Sequence, residues 1–254
     1  MAAEPQEFTG RRALLLGAGS GMGGHTARRL ARLGAAVWLA SRHPERAEAL
    51  AGQIREEGGQ AWGLALDVRD EAAVAALFAR PPWGEGGLDL LYVGAGGYFR
   101  APTDPAAVDG VWFREALDNL TAGAQFAVRH GAATVALRQG VVVVVGASPA
   151  TRQASNPAYA AGKAAVDGLV QYWARRLADA GVRVNAVLPG LIRRHDPGLE
   201  PPAAPRRLGH PADVAEAVLF FVRSPWVTGV LLPVDGGWHV GVPLAGPAEA
   251  KPST

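Results

Sequence analysis

From Arg11 onward the chain alternates short apolar runs with longer amphipathic stretches. The runs predict strands near 12–16, 36–40, 61–66, 88–93, 141–145, 182–187 and 229–234, and the stretches between them predict helices near 21–33, 44–57, 70–79, 106–118, 120–138, 157–179 and 211–222. Continuous rather than alternating apolar runs are what strands buried on both faces require, and such strands are joined by crossover helices. Gly34 and Gly181 suit helix C-termini, while Pro44, Pro157 and Pro211 suit first helical turns. The expectation is an α/β fold: a three-layer, doubly wound, parallel seven-stranded sheet with helices on both faces. No repeat or linker divides the chain. One domain is expected over 1–254, with its core at 10–237, a proline-rich substrate-side loop at 191–210 and a tail at 238–254.

With 254 residues, 49% hydrophobic and 19% charged, the composition is that of a globular protein. No apolar stretch reaches membrane-spanning length, and Met1 to Arg12 contains Glu4 and Glu7 without an apolar core, so neither a membrane span nor a secretory signal is expected and a cytoplasmic location is the default. The absence of cysteine excludes disulfides, thiolate metal sites and a cysteine nucleophile, and no metal is expected. The net charge of +2 and the scattered arginines argue against a nucleic-acid partner.

The first chemical signal follows the first strand. Gly17-Ala18-Gly19-Ser20-Gly21-Met22-Gly23-Gly24 lies between Leu16 and an amphipathic helix, the context in which backbone N–H groups and a helix N-terminus receive a pyrophosphate. Gly19, Gly21 and Gly24 fit one glycine spacing, and Gly17, Gly21 and Gly23 another. The second is preferred because Gly17 directly follows the strand. An NAD site would place a carboxylate at the end of the second strand to hold the ribose 2′-OH. Here that strand ends in Ser41-Arg42, and a guanidinium suits a 2′-phosphate. The expected cofactor is NADP(H) in preference to NAD(H).

A second signal lies in Asn156-Pro157-Ala158-Tyr159-Ala160-Ala161-Gly162-Lys163. Tyr159 and Lys163 stand at i and i+4 on one helix face, where an ammonium favours the phenolate and brings the tyrosine toward a pKa useful for proton exchange with a carbonyl or alcohol. The chain has 25 basic residues, yet only Lys163 and Lys251 are lysines. A lysine kept four residues after this tyrosine is a pointed choice.

These motifs resemble those of the short-chain dehydrogenase/reductase family, and the resemblance runs from about Gly10 to Gly237. Gly17, Gly21 and Gly23 resemble its glycine motif, and Tyr159 and Lys163 its Tyr-x-x-x-Lys pair. Asp67-Val68 resembles its adenine-contacting position and Asn119 its active-site asparagine. Gly94, Ala95 and Gly96 stand in its Asn-Asn-Ala-Gly region, Pro189, Gly190 and Ile192 border the nicotinamide, and Asp235-Gly236-Gly237 resembles its C-terminal signature. The resemblance implies hydride transfer between a nicotinamide and a small-molecule carbonyl or alcohol, with Tyr159 exchanging the proton, Lys163 holding the ribose and Asn119 fixing a relay water. It also implies a homotetramer or homodimer packed through the helices near 106–138 and 157–179.

Several features depart from the family: Val93-Gly94-Ala95-Gly96 stands where it has Asn-Asn-Ala-Gly, Leu16 where it has Thr before the first loop glycine, and its Thr after Pro189-Gly190 is missing from Leu191-Ile192-Arg193-Arg194. The serine is the chief departure. The family's carbonyl-polarising serine lies 13 residues before the tyrosine, a register that falls on Gly146, whereas Ser148 lies 11 before. A loop two residues shorter brings Ser148 into place, and Ser148 is the expected residue; an unbroken register leaves the site without that hydroxyl. Arg193, Arg194, His195, Arg206 and Arg207 are read as a solvated lid surface. The alternatives to an NADP(H)-dependent oxidoreductase are a non-catalytic NADP-binding or regulatory protein, and an isomerase or dehydratase on the same scaffold.

Overall fold

The structure, a computed structural model, describes residues 6–94, 96, 104–193 and 207–242. Ala95 and the lid residues Arg194, His195 and Arg206 lie outside the described residues, as does the tail from 243 onward.

Seven parallel strands form one sheet: β1 (Arg12–Leu16), β2 (Ala36–Ser41), β3 (Gln60–Ala65), β4 (Leu90–Val93), β5 (Val141–Val145), β6 (Arg183–Pro189) and β7 (Leu231–Val234), in the order β3-β2-β1-β4-β5-β6-β7. Alternate strand residues face opposite helix layers. On one face Leu15, Leu39, Tyr92 and Val143 pack against α1 (Gly21–Arg32), α2 (Pro44–Glu56) and α8 (Pro211–Arg223). On the other, Leu14, Leu91, Val142 and Ala186 pack against α3 (Glu71–Ala79), α5 (Gly123–Ala136) and α7 (Pro157–Arg176). This is the expected three-layer Rossmann architecture.

The order reverses between β1 and β4, the switch point outside whose carboxyl ends ligands bind in open α/β sheets. Gly94 N–H donates to Leu16 O at 2.9 Å and so ties the two strand ends together there.

Three local features differ from the expected elements. Strand β4 starts at Leu90 rather than at 88, because Asp89 is turned to accept from Arg12 N at 2.8 Å. The helix expected from 106 begins only at α4 (Gly110–Leu117), where Asp109 caps the free N–H groups of Val111 and Trp112. It then runs into α5 through one π-helical turn, Asp118–Ala122, where a break was expected. A short helix, α6 (Pro149–Gln153), also lies between β5 and α7, in a stretch read as connection.

Candidate active site

The glycine loop holds its shape for reasons particular to three positions. Gly17 and Gly21 have φ of +85° and +58°, a region side chains rarely enter. A Cβ on Gly23 would stand 2.7 Å from Gly17 O and 2.9 Å from Ala18 Cα, both immovable backbone. Gly19 and Gly24 are less constrained, since the nearest atoms to their Cβ positions are the side-chain atoms Ser41 Oγ at 3.1 Å and Leu50 Cδ2 at 3.2 Å. Ser20 precedes α1 in extended conformation without a side-chain capping bond, and no acid occupies the first turn. The first N–H groups of α1, including those of Met22 and Gly23, therefore keep their positive end for an incoming anion. A cradle closed to Cβ atoms beside an uncapped helix N-terminus fits a pyrophosphate.

At the end of β2, Ser41 Oγ accepts from His43 N at 3.1 Å, and Arg42 is exposed with no ion pair among the described residues. Arg46, in the first turn of α2, stands beside the same loop: its Cβ lies 3.4 Å from the Cβ position of Gly19. No motif in the sequence singles out Arg46.

Asp67 accepts from Arg69 through the backbone N and both Nε and Nη2, the last at 2.6 Å. These bonds hold its carboxyl below the usual range, against burial, and nearby Arg42 adds to the effect. Val68 is buried against Gly123, where a Cβ would meet Val68 Cγ2 at 2.6 Å.

On α7, Asn156 caps the helix by accepting from Tyr159 N at 2.9 Å, with Pro157 in the first turn. Tyr159 is half-buried, and Lys163 is only 3% exposed. Lys163 Nζ donates to Val145 O at 3.0 Å, which pins the middle of the reactive helix to the end of β5. Burial without a carboxylate partner pulls its pKa down to about 8.

Asn119 sits inside the π turn, a distortion often found at functional sites. Its Nδ2 donates to Glu115 O at 2.8 Å, and its Oδ1 accepts from Arg69 Nη1 at 3.4 Å, so the side chain leans toward the Asp67–Arg69 pair. Its backbone carbonyl instead faces Gly96, whose φ of +87° and lack of a side chain allow the approach. Thr121 Oγ1 donates to Gly162 O at 2.8 Å and joins this turn to α7.

Ser148 is fully buried and caps α6. Its Oγ accepts from Thr151 N at 3.3 Å and lies 3.1 Å from Thr151 Oγ1. Asp235 accepts from Gly237 N at 3.1 Å and His239 N at 3.0 Å. Burial would raise its pKa, but these bonds together with His239 and Ser148 bring it below the ordinary value. Gly190 is pressed onto Asp235, where a Cβ would stand 2.6 Å from Asp235 Cβ. The end of β6 at Pro189, Gly190 and Asp235 therefore forms one packed unit. Ile192 bridges to Gly209, and Arg207 binds both carboxylate oxygens of Asp213 at 2.8 Å, which neutralises that part of the lid base.

The sequence pattern of a family described as enoyl-(acyl carrier protein) reductase matches residues 17–239. The chain is 32% identical to 2,5-dichloro-2,5-cyclohexadiene-1,4-diol dehydrogenase LinX of Sphingobium indicum, over 92% of this chain and 98% of that one. The chain belongs to the short-chain dehydrogenase/reductase family. It is also 36% identical to cis-4-hydroxycyclohexanecarboxylate dehydrogenase of Sinomonas cyclohexanicum, over 92% of this chain and 98% of the relative. Among solved structures, the citronellol catabolism dehydrogenase AtuB of Pseudomonas aeruginosa superposes with a TM-score of 0.80 at 29% identity, covering 92% of this chain and 96% of that one. This short-chain dehydrogenase/reductase is accordingly an NAD(P)-dependent oxidoreductase. Among its described residues no helix is long and apolar enough to cross a membrane, and no cluster of His, Asp or Glu suits a metal ion.

Proposed function

We propose that this protein interconverts a small-molecule carbonyl and alcohol using NADP(H), with Tyr159 as the acid–base group. The observation that carries the reading is Lys163, a buried ammonium held on Val145 O one helical turn from Tyr159. Burying a lysine without an acid partner is unfavourable, and such an arrangement is retained where its charge acts on a neighbour. A bound nicotinamide supplies the hydride. Gly17, Gly21 and Gly23 receive its pyrophosphate, Gly94 and Gly96 give it close backbone passage, and Pro189, Gly190 and Ile192 border its reactive ring. Lys163 holds the ribose and favours the phenolate form of Tyr159. Asn119, inside the π turn, fixes a water in the proton path.

Arg42 and Arg46 support the preference for NADP(H), because two exposed guanidiniums flank the loop edge where the adenosine ribose belongs. Replacing either by alanine is expected to weaken NADPH binding about tenfold while changing NADH binding less than twofold, as one charge-assisted contact is worth roughly 1.5 kcal/mol or more. Fluorescence titration of both cofactors checks this. Equal losses for NADPH and NADH contradict it.

Self-association through α4 and α7 is supported by exposed Val111, Phe113 and Tyr172 on those helices. Sedimentation as a monomer contradicts it. A non-catalytic cofactor-binding role is favoured by one observation, the full burial of Ser148 with its Oγ engaged by Thr151. Tyr159-dependent NADPH oxidation decides between the two readings: turnover on a panel of ketones, quinones and acyl thioesters supports the enzyme, and tight cofactor binding without turnover supports the alternative.

A further inference from the structure

We propose that the amino-terminal end of the sheet carries a second ligand site, a cleft for carboxylates borne on a flat apolar ring, built from Arg11, Arg183 and Trp226. It goes beyond the oxidoreductase reading and does not depend on it.

A cavity of about 720 Å³ lies between the chain that enters β1, the start of β6 and the loop from α8 to β7. That size falls within the roughly 300–1,000 Å³ of small-molecule pockets. All seven strands are parallel, so this end of the sheet lies opposite the carboxyl ends that present Gly17 and Gly190. The charged residues lining it are Glu7, Arg11, Arg183 and Arg223, three cations against one anion. Glu7 is engaged by Arg223, whose Nε donates to its two oxygens at 3.0 and 3.2 Å and whose Nη2 donates at 2.9 Å. Arg11 and Arg183 are left without a carboxylate on the cavity wall.

Each of these two guanidiniums is anchored by one nitrogen only. Arg11 Nη1 donates at 3.3 Å to Asp89, a carboxylate that Arg138 also contacts. Arg183 Nη1 donates to the carbonyls of Phe221 at 2.7 Å, Ser224 at 3.0 Å and Val227 at 3.4 Å, at the end of α8, where the helix dipole favours a cation. Nε and Nη2 of both side chains have no partner among the described residues. Burial weakens the hold of Arg183 on its proton, and the nearby Arg11 charge weakens it further. Like charges that share a cavity and keep unspent donors are relieved by an anion, and the planar guanidinium matches the two oxygens of a carboxylate.

The apolar part of the cleft sets the rest of the ligand. Val182 and Val222 are buried in its wall, and Trp226 is 97% exposed beside Pro225. An indole standing in solvent next to guanidiniums offers a face for ring stacking, and Trp with Arg is the pairing that dominates binding hot spots.

The test is isothermal titration of the full chain with 1-naphthoate, and with 1-naphthamide and acetate as the uncharged and ringless controls. Naphthoate should bind with a dissociation constant of about 1 mM or tighter, as expected of an efficient ligand of its size. Each control should bind at least about tenfold more weakly. Arg11→Gln should weaken naphthoate about tenfold and Trp226→Ala about threefold or more. Both positions are exposed, so the fold does not rest on them, and NADPH affinity in both variants should stay within about twofold of wild type. Saturating NADPH should leave the naphthoate isotherm unchanged, which separates this cleft from the cofactor site. Absence of naphthoate binding, equal binding of the amide, indifference to both substitutions, competition by NADPH, or a parallel loss of NADPH affinity overturns the proposal. Because the readout is binding, failure of the carbonyl-reduction reading shows separately, as missing turnover.

Discussion

Tyr159→Phe is expected to lower kcat for carbonyl reduction by about 10²–10⁴-fold, the range that loss of a positioned general acid produces. NADPH affinity should change little. The ring stays in place on a helix whose start is fixed by Asn156 and Pro157, and the glycine loop proposed to receive the pyrophosphate belongs to a different connection, between β1 and α1. Rapid-mixing measurement of NADPH oxidation, with fluorescence titration of the cofactor, separates the two effects. A variant that keeps more than a tenth of wild-type turnover contradicts the assignment of Tyr159 as proton donor.

Lys163→Met should disable the enzyme and yet make it more stable at neutral pH. The folded-state pKa of Lys163, about 8, lies below its ordinary value of 10.5. A group whose folded pKa is depressed in this sense binds its proton more weakly when folded, so stability rises as pH climbs from about 8 to 10.5. Below pH 8 the full penalty of burying the charge applies. That penalty is up to roughly 3 kcal/mol, from 1.36 kcal/mol per pKa unit. Methionine keeps the packing and removes the charge, while the lost bond to Val145 O returns about 1 kcal/mol. A net gain of about 2 kcal/mol at pH 7 corresponds to a rise in Tm of roughly 4–8 °C. The advantage should shrink toward zero near pH 10. Thermal unfolding at the two pH values checks both the sign and its disappearance, and a variant less stable than wild type at pH 7 contradicts the account.

The sheet was legible because its strands are dense apolar runs with glycine or proline near their ends. Val141–Val145 and Arg12–Leu16 coincide with their sequence-based limits for that reason. The glycine loop was legible for a related reason: Gly17, Gly21 and Gly23 are required by backbone geometry, which leaves a mark on residue type. What stayed hidden depends on partners distant in sequence. Nothing in Ser148-Pro149-Ala150-Thr151 announces that the serine hydroxyl is fully buried, or that Thr151 Oγ1 reaches Pro189 O, 38 positions later. The π turn at Asp118–Ala122 shifts a hydrogen-bond register without a change in composition, so the sequence pattern divided at residue 119 what is one continuous helical run. Arg46 carried no signal in the sequence because its place beside Gly19 follows from how α2 packs against the loop. Sequence thus revealed the cofactor cradle more completely than the residues around the reacting carbonyl.

Deuterium transfer tests the central claim most directly. NADPH deuterated at C4 on the transferred face is incubated with each member of the panel of ketones, quinones and acyl thioesters, and the products are analysed by mass spectrometry and NMR. The account predicts one deuterium on the new carbinol carbon, with transfer reduced by at least about 10²-fold in Tyr159→Phe. Tight NADPH binding with no deuterium in the product, or transfer at undiminished rate in Tyr159→Phe, would contradict it.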